Sequence, residues 1–147
     1  MNKIDPKLLA LEGYKEKDLI GIPWMLAFAL RNDGWYLRQD IIWSKPNPMP
    51  ESVKDRCTKS HEYIFLLSKN QNYYFDTLSE PSVDGKERRK RSVWEVQLKP
   101  YKGAHFATYP TELIQPCIIA GSRSGDIVLD PFAGSGTSCV AAETLGR

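Results

Sequence analysis

The sequence predicts an α/β fold, and three features carry the prediction. Asp126-Ile127-Val128-Leu129-Asp130 is an apolar run of strand length ending in a carboxylate, Pro131 to Gly136 forms a tight glycine turn, and Thr137 to Leu145 has the pattern of an amphipathic helix. A strand, a glycine turn and a helix in that order are how doubly wound α/β domains hold a ligand at the carboxyl end of the sheet. The 147 residues, 41% hydrophobic and 26% charged, amount to about one compact domain, which excludes a disordered tail and a membrane span.

Taken in order, residues 1–17 are polar and loosely held, and Asp18 is placed to cap the apolar run Leu19 to Leu30. That run has almost no polar face, so a helix buried on most sides is expected, with Pro23 in its first turn and Asn32-Asp33-Gly34 as its stop. Trp35 to Trp43 is rich in aromatic and β-branched residues and reads as a strand; Glu62 to Leu67 reads as a second, more fully buried one. Between them Ser44 to Ser60 is a long loop, extended by Pro46, Pro48 and Pro50 and made basic by Lys45, Lys54, Arg56 and Lys59. Thr77 to Arg91 has the composition of a linker and ends in Lys86-Glu87-Arg88-Arg89-Lys90-Arg91, after which Ser92 to Val96 suits a short strand. A helix is expected over Pro110 to Ala120, with Thr108 as its cap, Leu113, Ile114, Cys117 and Ile118 on one face, Pro116 as a kink and Gly121 as its close. Residues 126–130 should then be a short buried strand.

Lys+Arg 20 against Asp+Glu 18 leaves a formal charge of +2, so an anionic partner must be met by local clusters. Cys57, Cys117 and Cys139 are odd in number and widely spaced, which fits neither a disulfide framework nor a zinc site and points to a reducing, cytoplasmic setting. The N-terminus has neither a signal peptide's nor an anchor's pattern, and the stop at Gly146-Arg147, just after a helix, reads as a cut.

Gly134 and Gly136 allow a ligand close to the backbone, and the helix start after them offers free N–H groups to a carboxylate or phosphate. A phosphate-binding P-loop would need Lys where Thr137 stands, and a dinucleotide fingerprint would need a third glycine where Cys139 stands. A purely structural turn accounts for a glycine or two, but not for Asp-Pro-Phe at the strand end.

As a whole, Asp130-Pro131-Phe132-Ala133-Gly134-Ser135-Gly136-Thr137 resembles motif I of the amino-type DNA methyltransferases. The segments Ile22 to Arg56, His61 to Lys69 and His105 to Leu113 are similar to that family's upstream motifs in its β arrangement, so the likeness runs from Leu19 to Arg147. It implies a partial Rossmann-like, S-adenosylmethionine-dependent methyltransferase domain, with a mixed sheet that includes an antiparallel strand pair. Within one incomplete domain, 1–147, it implies a target-side half at 19–69, a short target-recognition segment at 76–100 and a cofactor-binding half at 105–147. S-adenosyl-L-methionine would be held by Asp130, Pro131, Phe132, Ala133, Gly134, Ser135, Gly136 and Thr137, together with His105, Ala107 and Thr108 of a segment resembling motif X. Many relatives have Lys-Pro where this chain has Tyr109-Pro110, and a lone histidine such as His105 is more often a structural, hydrogen-bonded residue than a cofactor contact; no metal is implied.

The family's reaction is site-specific methylation of adenine N6 or cytosine N4 in double-stranded DNA, as in restriction–modification, and the target base must leave the stack to be reached. By the resemblance, Trp43, Lys45, Asn47 and Arg56 would lie toward the base and phosphates, and Arg88, Arg89 and Arg91 toward the duplex. The bland readings stay open beside these: Trp43 as a core aromatic and the charges as solvated faces. The family's Pro-Pro-Tyr catalytic motif has no counterpart, since the sequence contains no Pro-Pro pair, so no catalytic residue is assigned. The strand that should follow the glycine-turn helix, bearing the ribose-binding acid, is missing too. The expectation is a fragment incomplete at both ends, inactive alone and weak in cofactor binding, in the cytoplasm of a prokaryotic or phage-infected cell. The alternatives are an inactive DNA-binding remnant, one part of a split enzyme completed by another chain, a homodimer, or a methyltransferase acting on RNA or a small molecule.

Overall fold

A computed structural model describes residues 13–99 and 108–147. Helix α1 (Ile22–Asn32) has Pro23 in its first turn and ends at Asp33, before Gly34 at φ 98°. Its N-cap is Gly21, at φ 74°, and not Asp18, whose carboxylate instead accepts the Lys15 N–H at 2.8 Å in a separate turn. One face of α1 meets the sheet: Ala27 is buried, and the Trp24 ring lies 5.3 Å from that of Tyr63 and 5.0 Å from that of Phe65. Ile22, Met25, Leu26 and Phe28 are exposed, so burial on most sides does not hold, because a single sheet face is all that covers this helix among the described residues.

Strands β1 (Tyr36–Ser44) and β2 (His61–Ser68) form an antiparallel pair, from Tyr36 opposite Ser68 to Ser44 opposite His61, with a register shift between Leu37 and Gln39. The Ser44 to Ser60 loop joins them, and the Lys45 N–H donates to the Ser60 carbonyl at 2.8 Å to close its base. Thr77 to Arg91 is not a linker: β3 (Ser79–Pro81) and β4 (Glu87–Arg89) pair as an antiparallel hairpin. Apolar periodicity misses it because its stabilising elements are backbone bonds, a turn with Gly85 at φ 78°, and the cross-strand pair Glu80–Arg88. β5 (Val93–Glu95) runs parallel to the end of β1, completing a mixed sheet of order β2-β1-β5.

Helix α2 (Thr111–Gly121) starts from Pro110 with no side-chain cap, so Thr108 does not cap it; Gly121 is its last residue, and Ser122 ends it by donating its hydroxyl to the Ile118 carbonyl at 2.6 Å. Pro116 sits inside this helix. Helix α3 (Thr137–Thr144) buries Ser138, Ala141 and Ala142. Leu113 of α2 packs with Trp43 and Trp94 in one core cluster, and Ile118 packs with Ala141 and Ala142 in another, so α2 ties the sheet to the glycine-turn half.

Residues 126–130 differ most from expectation. Among the described residues they join no strand ladder, and Ile127 and Leu129 are 95% and 86% exposed, while Val128 alone turns onto the α2–α3 cluster. Alternation of side chains survives without a neighbour, but a strand needs a partner for its N–H and C=O groups. No helix among the described residues is long and apolar enough to cross a membrane.

Candidate functional site

The site is built around Asp130, where the 126–130 segment ends. Its Oδ1 accepts the Phe132 N–H at 2.9 Å, which folds the chain into the glycine turn; its Oδ2 accepts the Ser138 hydroxyl at 2.5 Å and lies 3.2 Å from the Tyr109 hydroxyl oxygen. The Tyr109 and Ser138 oxygens are themselves 2.5 Å apart. These donors, the Ser138 hydroxyl first and then the Phe132 N–H, hold the Asp130 carboxyl below its ordinary 3.8. Burial, aided by the Asp130 charge, pushes the Tyr109 phenol up, so tyrosine stays the protonated donor.

Gly134 and Gly136 take φ of 53° and 80°, a conformation that L side chains rarely adopt, and the Gly136 N–H donates to the Ala133 carbonyl at 2.7 Å. The first internal bond of α3 runs from the Val140 N–H to the Gly136 carbonyl, which leaves the N–H groups of Thr137, Ser138 and Cys139 ahead of the helix's own ladder. Thr137 and Ser135 hydroxyl oxygens lie 3.1 Å apart, Pro131 is exposed, Ala133 is half-buried, and the Phe132 ring is 90% exposed beside the turn. Beneath Asp130 a mostly apolar cavity of about 360 Å³ opens between the sheet, α2 and residues 128–130, with Tyr109, Asp130 and Ser138 as its polar corner. Thr108 is half-buried just before Tyr109; His105 and Ala107 lie outside the described residues.

The target-side candidates divide. Trp43 is 4% exposed in the core, its indole N–H donates to the Val96 carbonyl at 2.8 Å, and Lys45 Nζ sits 4.3 Å above its ring, so a base could stack there only by displacing Lys45. Lys45 is also paired with Glu62, and Arg56 with Glu51 at 2.7 Å. Asn47 exchanges two amide bonds with the backbone of Leu98, at 3.1 and 2.9 Å, and so clips the long loop to the chain after β5. A polar cavity of about 340 Å³ lies beside Lys45, Lys59, His61 and Glu51.

In the hairpin, alternation along β4 sorts the charges. Arg88 reaches Glu80 at 3.1 Å and Lys90 lies 3.9 Å from it, whereas Lys86, Arg89 and Arg91 are exposed and have no acidic partner among the described residues. No cluster of His, Cys, Asp or Glu able to hold a metal occurs among the described residues. Of the three free thiols, Cys117, on the buried face of α2, is pushed up to about 11 by burial.

Sequence reasoning missed Tyr109 and Ser138 as members of this site. They stand 21 residues before and 8 after Asp130, and the available signal was a hydroxyl in the first turn of the helix that follows a strand-end carboxylate.

A family model described as DNA methylase, of the N6/N4 type, matches residues 8–147. The chain is 61% identical over 138 residues to Type II methyltransferase M.Cfr9I of Citrobacter freundii, covering 92% of this chain and 46% of that protein. It is 58% identical over 140 residues to Type II methyltransferase M.SmaI of Serratia marcescens, covering 92% and 48%. The chain spans about half the length of these curated relatives. Among solved structures it is similar to the M1.HpyAVI–SAM complex, with a TM-score of 0.66 and 27% identity over 88% of this chain and 62% of that one.

Proposed function

The chain belongs to the N6/N4 DNA methylase family, and we propose that it supplies the cofactor loop and part of the target side of a DNA methyltransferase. The activity in question is transfer of a methyl group from S-adenosylmethionine to the exocyclic amine of adenine or cytosine in DNA. The observation that carries this reading is the turn from Asp130 to Thr137: an oriented carboxylate, two glycines at positive φ and a helix start with unused N–H groups within eight residues. The M1.HpyAVI structure, whose complex contains SAM, and the named relatives support it.

The residues present fit that cofactor. Nothing stands within 4 Å of where a Gly136 Cβ would point, so the backbone there is open to close approach. The N–H groups of Thr137, Ser138 and Cys139 can take a carboxylate, Asp130 can accept from an ammonium or a hydroxyl, and the exposed Phe132 ring offers an apolar face. When bound, S-adenosylmethionine supplies a methyl group activated by a sulfonium. The chain's part is to fix that end of the reaction while a flipped base approaches in line. Pro131, Ala133, Gly134 and Ser135 shape the turn, and Thr108 stands next to Tyr109 at its edge; His105 and Ala107, outside the described residues, are candidates on the motif X resemblance alone. Toward DNA, the exposed Lys86, Arg89 and Arg91 offer phosphate contacts. These residues contain no Pro-Pro pair, so the holding of the target amine is not assigned to any of them. The setting is the cytoplasm of a bacterial host.

Calorimetric titration with S-adenosylmethionine tests the reading. Saturable binding is expected, and Gly136→Val should abolish it while the circular dichroism spectrum is kept. No binding by the unsubstituted chain at millimolar ligand would overturn it.

A further inference from the structure

We propose that Tyr109 is a positioning residue which, acting through Ser138, locks the Asp130 carboxylate so that Oδ1 alone is presented to a ligand's hydrogen-bond donor. The inference rests on reading Asp130 to Thr137 as the cofactor loop.

Counting donors leads to this assignment. The Ser138 hydroxyl has one proton, and at 2.5 Å it gives that proton to Asp130 Oδ2. The Tyr109 hydroxyl also has one, and its shorter contact, 2.5 Å against 3.2 Å, is to the Ser138 oxygen. The order is therefore Tyr109 to Ser138 to Asp130, a chain in which each bond polarises the next. The Tyr109 oxygen, 3.2 Å from Oδ2, stands over the other side of that oxygen and closes it to a ligand; Oδ1 has accepted one donor, the Phe132 N–H, and keeps one direction free. That direction suits an ammonium or a ribose hydroxyl.

The three side chains come from three separate segments: Tyr109 from beside buried Pro110 at the start of α2, Ser138 from the first turn of α3 and Asp130 from the end of the extended segment. The terminal torsion of an aspartate is broad and costs little to turn, so only such convergence holds it. Ser138 is 4% exposed and cannot turn to water for a substitute donor. Removing the phenol leaves the Ser138 oxygen without its donor and frees the carboxylate to exchange its two oxygens. The other titratable groups lining this cavity are Glu62, Tyr63 and Cys117, and Cys139 stands next to Ser138.

The test compares Tyr109→Phe with the unsubstituted chain by two readouts. Carboxylate carbon NMR follows the Asp130 titration without ligand, and calorimetry gives the affinity for S-adenosylmethionine. The expected result is a retained fold, a higher Asp130 midpoint and binding weakened about 5- to 10-fold, the scale of one hydrogen bond between uncharged groups. A purely structural role would lower the melting temperature and leave the midpoint and the affinity unmoved. Equal affinity of the two chains overturns the proposal whatever the midpoint does, whereas absence of binding by the unsubstituted chain overturns the cofactor reading. Ser138→Ala should reproduce the shift in midpoint; an unshifted midpoint there also overturns the relay.

Discussion

Asp130 shows how much one carboxylate can organise when its donors come from different parts of the chain. Its depressed titration means that its contribution to stability is fully present above the ordinary 3.8 and is lost as pH falls through the lower folded-state value. Asp130→Asn, which keeps the shape but not the charge, should therefore melt below the unsubstituted chain at pH 7, and the gap should close as pH falls through the lowered folded-state value. A gap that stays constant with pH would rule out the charge as the cause. The half-exposed position keeps the effect small, since solvent screens such contacts. Asp130 and both glycines were legible in the sequence because they are adjacent and only a few turn types use them. Tyr109 and Ser138 were not, because their role depends on where α2 and α3 sit against each other.

At the scale of elements, β1 and β2 follow their sequence patterns closely, since a β-branched strand is selected by its immediate neighbours, whereas α1 forms within its apolar run but starts at Ile22 and, among the described residues, is covered on one face only. The β3–β4 hairpin has no such pattern. Its consequence is a division of labour among the basic residues, with Arg88 and Lys90 sharing the one carboxylate of Glu80, and Lys86, Arg89 and Arg91 left outward. DNA binding should therefore lose salt dependence when Lys86, Arg89 and Arg91 become Ala, by about 0.9 in logarithmic slope for each phosphate contact removed. Arg88→Ala should change the slope less. A slope unaltered by the triple substitution would remove the hairpin from the DNA interface. The long basic loop is expected to contribute less, because Arg56 and Lys45 are already paired with Glu51 and Glu62.

For the whole molecule, the exposed Ile127 and Leu129 are the feature of greatest consequence. An extended apolar segment without a ladder partner is a template for another strand. Light scattering should show concentration-dependent self-association of the chain, reduced by the double substitution Ile127→Thr and Leu129→Thr. A monodisperse chain at all concentrations would show that these side chains are tolerated in water. Sequence alone determined the family's motifs, the helices and the long strands, and the residues of the glycine turn, because each is encoded by neighbours along the chain. Tertiary structure alone decided that residues 126–130 join no ladder among the described residues, that Trp43 goes to the core and that Tyr109 and Ser138 hold Asp130. The physical reason is common to all three: a strand's hydrogen bonds, an indole's burial and a hydroxyl's acceptor are set by groups distant in sequence, which only folding brings within reach.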